Sequence, residues 1–249
     1  MRTIGETVMT QDDIRETLSF LHSHAPGGKV GIENEGVFSF GIPKRGRFRV
    51  SYITQRGSFV VRILKIPMVV PEPASLIDDS AVASRVMASF ANFRRGLLII
   101  SGDPLPSINT LVYGLVEGMV TKEQRVVVLI EHDTTFLLKH GKSIVVQCEY
   151  GPGNETMGNT LRSAMMIEPD IIYVCGISDR TDLNLLLKSA KSRLFVVAAV
   201  SGMDADRLFP DGKGLDDPEL SCGWWNVEPS PESGKIRLDM DYGKRGQLS

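Results

Sequence analysis

The chain has 249 residues, 42% of them apolar and 23% charged, with 28 basic and 30 acidic side chains and a formal charge of −2. These proportions describe a globular protein and exclude collagen-like, low-complexity and disulfide-scaffold chains. The near-balance of charge leaves no chain-wide field to attract nucleic acid or anionic lipid, so either partner would need a local patch. Cys148, Cys175 and Cys222 are few and far apart, which predicts free thiols rather than disulfides or structural zinc. No charged-then-apolar leader and no run of about 18 apolar residues is present, so the expectation is a cytoplasmic protein with no membrane insertion and no nucleic-acid partner.

In chain order, the pattern predicts a helix over 11–21 and strands over 29–32, 36–42, 47–53 and 58–64. Pro43, Gly46 and Gly57 separate the strands. This is a small α+β domain over 1–70. Arg45, Arg47 and Arg49 alternate with Gly46, Phe48 and Val50, which places three guanidinium groups on one strand face, read as a solvated face or as a contact surface. Pro71, Glu72 and Pro73 interrupt regular structure and read as a linker over 71–75.

Beyond the linker the period changes. Continuous apolar runs at 97–100, 126–130, 144–146, 171–175 and 194–200 suit parallel strands buried on both faces. Helical segments lie between them. After Ser107, a predicted N-cap, Ile108, Leu111, Val112, Leu115, Val116, Met119 and Val120 form one apolar stripe. Further helices are predicted over 156–167 and 179–191. The alternation gives an α/β domain over 76–213, a mostly parallel sheet with flanking helices. Residues 214–249 read as a tail with one strand-like piece at 235–240. Trp224 and Trp225 in it are read as buried or, alternatively, as a partner anchor.

Ligands of such sheets bind beyond the carboxyl ends of the strands. The segment from Ser101 to Thr110 is the first such place, and it can be compared with the phosphate loop G-x-x-x-x-G-K-[ST]. With Gly102 as the first glycine, Ser107 takes the place of the second, Ile108 of the lysine and Asn109 of the magnesium-binding hydroxyl. Pro104 and Pro106 have no N–H to offer a phosphate, and Ile108 brings no charge. Asn109 could offer an amide oxygen to a metal, and the helix N-terminus could hold an anion. Glu131, His132 and Asp133, with His140 nearby, form an acid/base cluster read either as a polar loop or as an unrelated hydrolytic or metal site. The glycine-rich stretch 151–154 reads as a plain loop.

Several of these segments carry a family resemblance. Residues 95–102 with the loop after them, 36–50, 61–67, 129–133 and especially 160–174 resemble, in the correct order, PilT-type retraction ATPases of type IV pili and their secretion-ATPase relatives. The resemblance implies a RecA-like P-loop NTPase fold preceded by a shortened PAS-like α+β domain. It places Gly102, Ser107, Asn109, Thr110 and Glu131 in a degenerate nucleotide site. It places Arg47, Arg49 and Arg62 where the family's arginines reach a nucleotide or a neighbouring subunit. The family's Walker B Gly-Glu falls on Cys175 and Gly176, and its histidine box on Val200 and Ser201. Phosphate cradle, base and sensor are thus altered together, so the expectation is a member without catalytic residues, resident metal or cofactor. Its expected role is structural or regulatory, as a homo-oligomer or as a hetero-oligomer with an active ATPase. The alternatives are a nucleotide-binding protein or slow ATPase with a rebuilt loop, holding ATP and Mg weakly, and a scaffold that self-assembles without ligand.

Overall fold

Thr10 starts the first helix with a reciprocal cap: its hydroxyl accepts from the Asp13 amide while the Asp13 carboxylate accepts from the Thr10 amide. The helix, α1 (Gln11–Ser23), lays Leu18 and Leu21 against an antiparallel sheet. That sheet has the order β1 (Glu35–Ile42), β2 (Gly46–Gln55), β3 (Ser58–Lys65). The computed structural model describes residues 9–25, 32–151, 155–209 and 220–242. The chain divides into two units, Met1–Met68 and Val69–Ser249. Of the expected strand over 29–32, residues 29–31 lie outside the described residues, as do 152–154 of the glycine-rich stretch.

Strand alternation sorts the first unit. Phe40, Val50 and Tyr52 enter the core under α1. Arg47 and Arg49 point to the other face, and Arg62 joins them there because it pairs with Ser51. Arg45 stands in the turn before β2 and not on the strand, so the predicted trio of alternating arginines is corrected to a strand pair plus Arg62.

In the second unit, residues 71–75 take part in the packing. Pro73 opens α2 (Pro73–Leu76) at a helical position that needs no N–H, and it is buried. The Pro71 carbonyl approaches the helix Leu105–Val120 so closely that a Cβ at Gly114 would lie 2.6 Å from it. A local reading of Pro-Glu-Pro as a bare tether misses this contact between Pro71 and Gly114, which are far apart in sequence.

The large sheet has seven strands in the order β10-β9-β4-β8-β7-β5-β6. β4 (Gly96–Gly102), β5 (Val126–Glu131), β6 (Ile144–Glu149), β7 (Ile171–Cys175), β8 (Phe195–Ser201) and β9 (Cys222–Pro229) are parallel. β10 (Ile236–Tyr242) runs antiparallel to β9. α3 (Ser80–Asn92) and α4 (Leu105–Val120) pack with Leu98 and Ile100 on one face. α5 (Met157–Met165), α6 (Arg180–Ala190) and α7 (Gly202–Leu208) pack with Leu97 and Ile99 on the other. Burial on both faces is why these strands read as unbroken apolar runs. Among the described residues no helix is long and apolar enough to cross a membrane.

Two expectations are corrected here. Ser107 is not an N-cap: α4 begins at Leu105, Pro104 is the capping position, and no side chain caps it. The Ser107 amide donates to the Pro104 carbonyl at 2.9 Å, and the fixed φ of Pro106 suits the first turn, so the helix starts earlier than the apolar stripe does. The described part of the expected tail, residues 220–242, is part of the main sheet. β9 pairs with β4 across more than a hundred residues, which no local pattern reveals. Trp225 is fully buried, edge-on to Phe93 at 6.3 Å. Trp224 donates its indole N–H to the Ser101 hydroxyl at 2.9 Å and meets Phe209 edge-on at 4.8 Å, so neither is a free anchor.

Candidate functional site

α4 leaves β4 toward one face of the sheet and α7 leaves β8 toward the other, and β4 and β8 are neighbours. The crevice between them is where an open α/β sheet binds its ligands. Its lips are the loop from Gly102 to Leu105 and the start of α7. Gly102 has φ +143°, and a Cβ there would sit 1.8 Å from the Val227 carbonyl oxygen. The close approach of β9 is therefore sufficient reason for this glycine. Asp103 Oδ2 accepts the Gly202 amide at 3.1 Å, which lays a carboxylate of the loop itself across the crevice.

Several other loop donors are committed or missing. Pro104 and Pro106 have no N–H. The Ser107 amide is bonded within the first turn, and the Thr110 hydroxyl donates back to the Pro106 carbonyl at 2.8 Å. Ile108, at the lysine position, is buried in the core. A magnesium triphosphate needs a row of backbone donors, a cation and a hydroxyl or carboxylate for the metal. These residues do not fit that group.

Asn109 and Glu131, the two polar candidates on buried elements, meet each other. Asn109 stands on the inner face of α4 and Glu131 is the last residue of β5, 1% exposed. Asn109 Nδ2 donates to Glu131 Oε2 at 2.9 Å and to Thr135 Oγ1 at 2.6 Å. Thr135 Oγ1 donates in turn to Glu131 Oε2 at 3.1 Å, and the Tyr113 hydroxyl donates to Glu131 Oε1. Gln147 Nε2 donates to the Tyr113 oxygen at 2.9 Å and to the Phe136 carbonyl at 2.7 Å. Tyr173 donates to Asn109 Oδ1 at 2.5 Å, so the amide oxygen expected to be free for a metal is occupied. Every group facing Glu131 in this network is a donor, which suits a carboxylate anion. Burial pushes the Glu131 carboxyl up to about 7, against the pull of its bonds from Tyr113, Asn109 and Thr135. Burial likewise drives the Tyr113 hydroxyl far above its ordinary value. Chemically, the cluster is a closed knot tying α4, β5, β6, β7 and the loop after β5.

The remaining candidates do not converge. His132 and Asp133 are exposed, bonded to each other at 3.1 Å, while Glu131 turns inward, so the acid/base triplet is split where β5 ends and the chain leaves the sheet. His140 Nδ1 accepts the Val145 amide at 3.1 Å at the edge of β6. Burial pushes the Cys175 thiol up to about 12, far from a usable base at neutral pH. Gly176 has φ +84°, and a Cβ on it would lie 3.2 Å from the Tyr150 hydroxyl, which donates to the Cys175 carbonyl at 2.8 Å. Arg49 is buried, and Arg47 and Arg62 share its sheet face in the first unit. Tyr113, Thr135, Gln147 and Tyr173 are not singled out by sequence reasoning. The one usable signal is Tyr113, a hydroxyl inside an apolar helix that must find a partner when buried.

No family model matches the chain. The twitching motility protein of Neisseria gonorrhoeae is 26% identical over 223 residues, 86% of this chain and 58% of that protein. The type IV pilus retraction ATPase PilT of Pseudomonas aeruginosa is 25% identical over 155 residues, 62% of this chain and 44% of that protein. The chain thus spans about half the length of these relatives. Among solved structures, the pilus retraction motor PilT with bound ADP superposes with a TM-score of 0.68 at 22% identity, covering 84% of this chain and 64% of that one. The ATPase DotB of Legionella pneumophila gives 0.60 at 14% identity, covering 96% and 70%. The fold is that of these ATPases: a mostly parallel sheet flanked by helices, preceded by a small sheet domain.

Proposed function

We infer, from the kinship of this chain with the PilT-type retraction and secretion ATPases, that it is a member whose nucleotide site has been turned into structure. It does not hydrolyse ATP. It acts in the cytoplasm as a structural or regulatory component of a type IV pilus or related secretion machine, alone as an oligomer or beside an active ATPase. The observation that carries this reading is the bond between Asn109 and Glu131. The two side chains that a metal or an attacking water would require are spent on each other, out of solvent. Asp103 across the crevice, the two prolines and the absence of a side chain at Gly176 support it independently.

The test is calorimetry with ATP and Mg together with a steady-state hydrolysis assay. The expected result is no magnesium-dependent binding and no turnover. Turnover that co-elutes with the protein at about 1 s⁻¹ or faster, the low end of ordinary enzymes, would overturn the reading. The second reading, a nucleotide binder or slow ATPase with a rebuilt loop, is favoured by the ATPase names of the relatives, and tight magnesium-dependent binding would establish it. Light scattering with and without nucleotide separates a scaffold that assembles unaided.

A further inference from the structure

A cavity of about 540 Å³ opens in the second unit between residues 70–74, the end of α3 and the last turns of α4. It is remote from the crevice: α4 leaves the crevice at Leu105 and reaches the cavity wall at Gly118, about 20 Å of helix further on. Val70, Phe90, Leu115 and Met119, all buried, line it with apolar surface. Its size falls within the range of about 300–1,000 Å³ that small-molecule sites occupy, and apolar walls with a few polar groups are their usual composition. Two glycines of α4 face it, for different reasons. Gly114 is required by packing, since a Cβ on it would lie 2.6 Å from the Pro71 carbonyl and 3.0 Å from Pro73 Cδ. Gly118 is not: a Cβ there meets nothing within 4 Å, and its backbone is not in the left-handed conformation of a helix-ending glycine. Glycine is a poor helix residue, so neither packing nor propensity accounts for it. What its bareness does is keep the cavity open.

The charged side chains around the cavity are Glu72, Glu117, Lys122 and Glu123. Glu123 is spent on Arg125 at 3.0 Å, and Arg94 is held on the Ala91 and Phe93 carbonyls at the end of α3. Glu72 and Glu117 carry no ion pair among the described residues, and Lys122 is the one lining cation that opposes them. The last turn of α4 adds the negative end of its dipole. We propose that this cavity binds a small amphiphilic amine, its hydrocarbon or aryl body on the apolar wall and its ammonium held by Glu117 and Glu72. Burying the body removes apolar surface from water, and the ammonium makes charge-assisted bonds that a neutral head cannot make. A carboxylate head would meet two unpaired carboxylates and the carbonyl end of a helix, so the site selects by repulsion as well as by attraction. The proposal is independent of the fate of the nucleotide site, because no residue of this cavity belongs to the crevice or to the knot around Glu131.

The experiment uses the full chain and a matched pair of probes, 4-phenylbutylamine and 4-phenylbutyrate, which share an apolar body and differ in the charge of the head. Saturation-transfer NMR titrations at neutral pH should show saturable binding of the amine, and binding of the acid at least about tenfold weaker. Gly118→Leu should abolish amine binding while the melting temperature holds or rises, because the side chain enters free space and leucine is the better helix former. Glu117→Gln should weaken amine binding about fivefold or more at an unchanged melting temperature. Equal binding of the two probes, binding of neither, or amine binding that survives Gly118→Leu overturns the proposal. So does self-association of the chain that Gly118→Leu abolishes, because a second copy would then be the occupant.

Discussion

The two sheets of this protein treat their polar residues in opposite ways. The seven-stranded sheet is covered on both faces, and polar side chains at its carboxyl end had to find partners inside or be expelled. Glu131 and Asn109 found each other, while His132 and Asp133 were turned out to solvent. On the three-stranded sheet, the face away from α1 buries Arg49 but leaves Arg62 exposed beside Val60 and Leu64. A charged residue inside the doubly covered sheet must therefore be paired, whereas an exposed one such as Arg62 need not be. The cost of leaving a buried polar group unpaired, about 1–3 kcal/mol, enforces the first rule and has no hold on the second.

Four changes would break or sharpen that contrast. Gly102→Ala should have the largest effect, because its Cβ would overlap the Val227 carbonyl and the backbone stands in the left-handed region. We expect a loss of about 3–5 kcal/mol in urea denaturation. A loss below about 1 kcal/mol would show that β9 can move away, and that the glycine is not there for packing. Glu131→Ala should cost about 3 kcal/mol, since it leaves the donors of Asn109, Tyr113 and Thr135 in the core without an acceptor.

Glu131 also predicts a dependence on pH. Its carboxyl is raised from an ordinary 4.5 to about 7, so between those values the folded protein holds a proton that the unfolded chain releases. The associated stability is complete below about 4.5 and is lost as pH rises through about 7, by about 3 kcal/mol in all. Melting curves taken from pH 5 to pH 8 should show this decline in the native chain and a flatter profile in Glu131→Gln. An equal slope in both would place the titration elsewhere. Arg62→Glu should change stability least, within about 0.5 kcal/mol, because the side chain is exposed. A large loss of stability would mean that its face is already an internal contact.

Much of the architecture was legible one segment at a time. The buried strands announced themselves as apolar runs because both their faces are covered, and the stripe from Ile108 to Val120 announced α4 because a helix on a sheet has one inward side. The donors missing at Pro104, Pro106 and Ile108 were equally plain, since a residue's capacity to donate is a property of its type. The direction of Glu131 was not. Alternation along β5 places it on one face with Val127 and Leu129, but does not say which of the two faces lies under α4.

By itself, then, the sequence determined which elements form and which chemistry the crevice lacks, because these depend on side-chain type and on spacings within a few residues. Only the tertiary structure decided that Gly102 is held by β9, that residues 222–229 and 236–242 belong to the main sheet, and that Asn109 and Glu131 close on one another. Each of these is a contact between residues distant in sequence. Such contacts are chosen by what the rest of the core leaves unfilled or unpaired, and no local pattern encodes that.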